Sequence, residues 1–169
     1  IVLGIDPGLA FGTGTHETTQ LMLEALETID AATGPLVDLG TGSGILTMAA
    51  AKLGFTAIAA CDVDPDALHV ARENLRGNRV AVPVFVGSID ALAAGCARLV
   101  LANLTSDVIR LVLEDIVRIL VPGGVALLSG ILDTQSEALQ TTLRDAGFEI
   151  QDQVQRGEWV AMRVSLGGD

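Results

Sequence analysis

Gly40, Gly42 and Gly44 stand at alternate positions just after the apolar run 36–39, and that spacing is the chain's plainest chemical signal. A glycine-rich turn between a strand and a helix brings backbone N–H groups and a helix N-terminus up to a ligand. Side chains there would block the approach, and glycine also admits φ > 0. Asp62 falls twenty-two residues after Gly40, at the tip of a second apolar run. In nucleotide-binding folds an acid in that place meets a ribose, because a carboxylate accepts hydrogen bonds from two vicinal hydroxyls at once. Asn103 ends a later run. Its amide either satisfies turn backbone or points a carbonyl oxygen at the N–H of a nucleophile. Thr15-His16-Glu17-Thr18-Thr19 supplies capping hydroxyls for a helix. A lone His16 reads as a hydrogen-bonded structural residue before it reads as a catalyst, and His69 reads as solvent-facing and inert. Cys61 and Cys96 are too few and too isolated for a disulfide framework or a zinc site. No metal is expected.

These residues need a scaffold that delivers them to one place. Residues 36–39 read as a buried strand, and Leu46, Ala49, Ala50 and Leu53 then fall at i, i+3, i+4 and i+7 of a helix from Ile45. Upstream, a helix running to about Ile29 buries Met22, Ala25, Leu26 and Ile29. Residues 56–61 form a second strand. Asp64 caps the next helix and Pro65 opens it, with Leu68, Ala71 and Leu75 facing inward. Residues 82–86 give a third strand and 87–90 the turn at its carboxyl end. Residues 99–102 give a fourth, and Ile109, Val112, Leu113, Ile116, Val117 and Leu120 outline an amphipathic helix ended by Pro122-Gly123-Gly124. Residues 125–129 make a fifth strand, 130–132 its turn, and 137–146 a helix stopped by Gly147. Residues 148–154 and 159–164, joined around Arg156-Gly157, close the chain as a hairpin. The alternation predicts an α/β fold: a doubly wound, mostly parallel Rossmann-like sheet of about seven strands, with an antiparallel strand near the C-terminus.

The 169 residues are half hydrophobic, enough for one domain, 1–169, with a core of its own. No apolar run reaches membrane-span length and no signal peptide is read at the start, so the expected compartment is the reducing cytoplasm. The net charge of −11 argues against direct binding to a nucleic-acid backbone and keeps a very apolar chain dissolved. Ile1 in place of a methionine points to a fragment of something longer, and nothing in the chain fixes an oligomeric state.

Gly40-x-Gly42-x-Gly44 with Asp38 two residues ahead resembles motif I of the class I S-adenosylmethionine-dependent methyltransferases. Longer stretches resemble one family of them, PrmA: Asp6-Pro7-Gly8-Leu9-Ala10-Phe11-Gly12-Thr13-Gly14-Thr15-His16, Ala102-Asn103-Leu104, Leu128-Ser129-Gly130-Ile131-Leu132 and Glu158-Trp159-Val160. That family methylates the large-subunit ribosomal protein L eleven. The resemblance implies a methyl donor, S-adenosylmethionine, touching Thr19, Gly40, Asp62 and Asn103, with Gly42 as a neighbour in the same turn. It also implies that residues 11–16 close over the cofactor. Family members carry an N-terminal recognition domain, and this chain starts where their catalytic domain starts. Glu17 stands where many members have proline, Thr41 where many have cysteine, and Thr105 where an apolar residue is usual.

The implied chemistry is transfer of a methyl group to an amino group, a lysine side chain or an N-terminus, of a ribosomal protein. Such an amine attacks only when neutral, although a free lysine has a pKa near 10.4. Asn103, an uncharged acceptor, would hold the neutral amine in line without adding a cation beside the sulfonium. His16 is a candidate proton relay. Another protein or a small amine as substrate, and a non-catalytic module that binds S-adenosylmethionine, are the alternatives. Ile45 weighs against a dehydrogenase, whose fingerprint has glycine there.

Overall fold

The structure, a computed structural model, describes Gly4 and residues 16–168. The opening stretch 5–15, with its expected closure over a cofactor, lies outside the described residues apart from His16.

Seven strands form one sheet in the order β3-β2-β1-β4-β5-β7-β6. They are β1 (Leu36–Leu39), β2 (Ile58–Asp62), β3 (Val84–Val86), β4 (Ala97–Asn103), β5 (Leu120–Leu132), β6 (Phe148–Arg156) and β7 (Trp159–Leu166). The first five run parallel, and β7 is antiparallel to both β5 and β6. The predicted hairpin thus supplies the antiparallel strand. β1 is buried along its whole length, as an apolar strand of a parallel sheet must be when both faces are covered.

Five helices cover the sheet: α1 (Glu17–Glu27), α2 (Ile45–Leu53), α3 (Pro65–Gly77), α4 (Ser106–Ile119) and α5 (Asp133–Asp145). Met22, Leu26, Leu46, Met48 and Leu75 pack with Leu36, Ile58, Leu99 and Leu101 on one face. Ile109, Ile116, Leu139 and Leu143 pack with Val37, Val100, Leu128 and Val160 on the other. The α3 start follows the sequence: Asp64 accepts from Asp66 N at 2.9 Å and Pro65 occupies the first turn. The α1 start departs from it. The cap is the His16 imidazole, which accepts from Thr18 N, and Thr18 and Thr19 lie buried inside the first turn.

Two further departures lie in β5. Leu120 already has extended backbone, ψ 141°, and pairs with Ala97, while Val125 pairs with Leu99. Pro122-Gly123-Gly124 therefore loops out as a bulge within a strand, a place that tolerates a proline without an N–H. The expected turn at 130–132 is likewise strand: Leu128 pairs with Met162 and Ile131 with Val160, with one extra residue between. Gly130, at φ +82°, takes up that residue.

Candidate active site

The strand order reverses between β1 and β4, since β1 leads through α2 to β2 on one side and β4 leads through α4 to β5 on the other. The carboxyl ends of such a pair splay their loops apart and leave a crevice. A cavity of about 450 Å³ opens there, and Thr19, Gly40, Gly42, Asp62 and Asn103 all line it. Residues drawn from four separate stretches of chain therefore share one wall system.

The glycine turn forms the floor. Gly40 has φ +70°, and a Cβ on it would lie 2.6 Å from Leu104 Cδ2. The positive φ favours glycine there, and any Cβ would have to displace the tip of the Leu104 side chain. Beneath it Asp38, 1 % exposed, accepts at Oδ2 from Thr41 Oγ1 at 2.7 Å and Thr47 Oγ1 at 2.6 Å. Its Oδ1 has no partner among the described residues. Burial raises the Asp38 pKa, against the pull of the two threonine hydroxyls. The sequence marked Asp38 only by its position. Its threonine partners, three and nine residues on, were not picked out by the sequence.

Asp62 ends β2 half-buried, and its two oxygens are each held by one backbone N–H: Oδ2 by Gly42 N at 2.9 Å and Oδ1 by Asp64 N at 3.0 Å. A carboxylate has about four lone-pair sites, so this clamp fixes the group yet leaves acceptor capacity. Cys61 beside it is buried, and burial, followed by the Asp38 charge, pushes its thiol up to about 12. It is an inert thiol.

Thr19, fully buried, lines the opposite wall, and its hydroxyl has no hydrogen-bond partner among the described residues. Asn103 donates from Nδ2 to Thr18 Oγ1 at 3.2 Å, and Leu104 N donates to Ser129 O at 2.9 Å. Arg118 of α4 donates to Leu92 O and Ile89 O, fixing the turn that carries Ser88 into the wall. Ile45 and Leu46 at the start of α2, with Leu104, Val108 and Val112, make the remainder apolar. His16 lies two hydrogen bonds behind Asn103, through Thr18. His69 stands apart on α3, exposed, 3.5 Å from Glu73. Ser88 lies in the turn 87–90, which the sequence places at a strand's carboxyl end beside the ligand crevice; Thr18 and Leu104 were missed because only tertiary contact distinguishes them from ordinary helix and turn residues.

The family described as ribosomal protein L11 methyltransferase (PrmA) matches residues 1–166. The chain belongs to that family. A PrmA relative from Listeria innocua is 40% identical over 170 residues, covering 99% of this chain and 54% of the relative. This PrmA chain thus spans about half the length of the curated relatives it matches. The ribosomal protein L11 methylase of Lactobacillus delbrueckii subsp. bulgaricus is similar in structure at a TM-score of 0.87, with 30% identity, covering 99% of this chain and 86% of that one. A putative RNA methyltransferase from Pyrococcus horikoshii, at 20% identity and a TM-score of 0.73, covers 89% of this chain and 81% of its own, and shares the fold alone.

Proposed function

We propose that residues 1–169 form a single S-adenosylmethionine-dependent domain that methylates amino groups of a ribosomal protein. The observation that carries this reading is the cavity at the strand reversal. It joins a glycine floor and a clamped Asp62 to the buried Thr19, whose hydroxyl has no partner among the described residues. The donor set matches an adenosyl cofactor: a carboxylate with lone pairs to spare for a diol, backbone at Gly40 and Gly42 open to close approach, and apolar side chains around them.

When bound, S-adenosylmethionine would supply an electrophilic methyl carbon together with its own thioether leaving group. The protein's share is placement. Asp62 would hold the ribose, and Gly40 and Gly42 would let the ligand meet backbone, with Thr19 in the same cavity wall. Asn103 offers an uncharged acceptor to the amine N–H, which favours the neutral amine and aims its lone pair. The relatives' name, ribosomal protein L11 methyltransferase, supports a ribosomal protein as the substrate. No direct nucleic-acid contact is proposed, in keeping with the charge of −11.

Titration calorimetry on this chain tests the reading. S-adenosylmethionine or its demethylated product should bind, and NADH should not compete. Tighter binding of NADH than of either would sink it.

A further inference from the structure

We propose that Thr18 is a positioning residue that decides which end of the Asn103 amide faces the amine; this rests on the functional reading above. A side-chain amide can sit in either of two orientations, and only one presents the carbonyl oxygen to the cavity. The neighbouring hydrogen bonds choose between them. Thr18 N donates to His16 Nδ1 at 3.3 Å, so that nitrogen carries a lone pair and no hydrogen. The same Nδ1 lies 2.8 Å from Thr18 Oγ1, and the hydroxyl hydrogen therefore points at the imidazole. Thr18 Oγ1 is left with lone pairs only, and the group 3.2 Å away on Asn103 must be its NH₂. Asn103 Oδ1 is thereby left to the cavity that Asn103 lines.

The chain of donors is protected. Thr18 is 1 % exposed, so bulk water does not compete for its hydroxyl. His16 is held in turn by the edge of Trp159, at 5.2 Å between ring centroids and 65° between planes. Trp159 stands opposite Leu132 at the end of β5, just beyond the Ser129 carbonyl that grips Leu104. A flipped amide would set its carbonyl against the lone pairs of Thr18 and its NH₂ against the amine hydrogens, a mismatch on both sides.

The test uses Thr18→Val, which keeps the shape and removes the hydroxyl, and Thr18→Ser, which restores it. With ribosomal protein L11 as methyl acceptor, Thr18→Val is expected to lower kcat at least tenfold while the calorimetric Kd for S-adenosylmethionine stays within twofold. Thr18→Ser should recover most of the lost turnover. On top of Asn103→Ala, Thr18→Val should cost less than a further twofold, because the group it orients is gone. A kcat within twofold of wild type, or an equal loss of cofactor affinity, would overturn the assignment. A readout without cofactor exists in the free wild-type protein: nuclear Overhauser contacts from the Asn103 NH₂ protons to the Thr18 methyl. Their absence overturns the proposal even if Thr18→Val folds poorly. If the wild-type chain binds no S-adenosylmethionine, the functional reading fails while these contacts persist. If wild type transfers methyl and Thr18→Val matches it, only the positioning role fails.

Discussion

Asp38 and Asp62 sit on either side of one glycine turn and meet opposite environments. Asp62 is half-buried and clamped by two backbone N–H groups, with lone pairs toward the cavity. Asp62→Ala should weaken S-adenosylmethionine binding by about 1.5–3 kcal/mol, the range for hydrogen bonds to a charged acceptor; calorimetry measures it. Asn103→Ala, by contrast, should cut turnover far more than cofactor affinity, since its proposed partner is the amine in the transition state. Equal losses in both would make Asn103 part of the cofactor pocket only. Asp38 is buried, with one oxygen unpartnered among the described residues and a raised pKa. An acid whose folded pKa lies above its unfolded value keeps its proton more tightly when folded. Its contribution to stability is therefore fully present below the ordinary carboxylate value of about 3.9 and is lost as pH rises through the raised folded value. Asp38→Asn cannot ionise and still offers one carbonyl to Thr41 and Thr47. Its Tm relative to wild type should climb as pH rises from about 4 toward neutrality; parallel Tm curves would show that Asp38 titrates alike folded and unfolded.

At the scale of elements, β5 does more than continue the sheet. Its bulge at Gly130 brings the Ser129 carbonyl onto Leu104 N, directly after Asn103. A Cβ at Gly130 would lie 2.6 Å from Leu104 O, and the backbone there has φ +82°. Gly130→Ala should cost about 1–3 kcal/mol of stability, the range for a strained left-handed residue, and more if Leu104 cannot shift. Urea denaturation reads the loss, and turnover should fall beyond it because the Asn103 turn moves. A variant as stable and active as wild type would mean the bulge is passive. The same strand shows where periodicity misleads. Leu120 completes the apolar stripe of α4 by spacing, yet its backbone is extended and it pairs with Ala97. An apolar residue at that junction is buried either way, so its hydrophobicity carries no information about its φ and ψ.

At the scale of the molecule, the chain holds a whole sheet, both helical layers and the crevice, while spanning about half of its curated relatives. Cofactor binding and substrate choice are then expected to separate. This chain alone should bind S-adenosylmethionine with ordinary affinity and methylate ribosomal protein L11 poorly. Fusing it to the remaining portion of a PrmA relative should raise transfer, because a short tether gives effective substrate concentrations on the order of millimolar. A radiolabel transfer assay compares the two. Efficient, selective transfer by this chain alone would point to a self-sufficient enzyme.

The sequence by itself determined the parts whose causes are local. Glycines at 40, 42 and 44 mark a turn because φ > 0 and close approach are properties of the residue. Asp64-Pro65 marks a helix start because cap and ring act within one turn. The alternation of apolar periods determined the parallel sheet and, through it, the crevice at the strand ends. Tertiary structure alone decided which polar groups are satisfied. Thr18 and Thr19 are adjacent and equally suited to capping, yet one bonds an amide 85 residues away and the other has a buried hydroxyl with no partner among the described residues. Hydrogen-bond satisfaction depends on what the fold brings within about 3 Å, and no spacing along the chain encodes that distance.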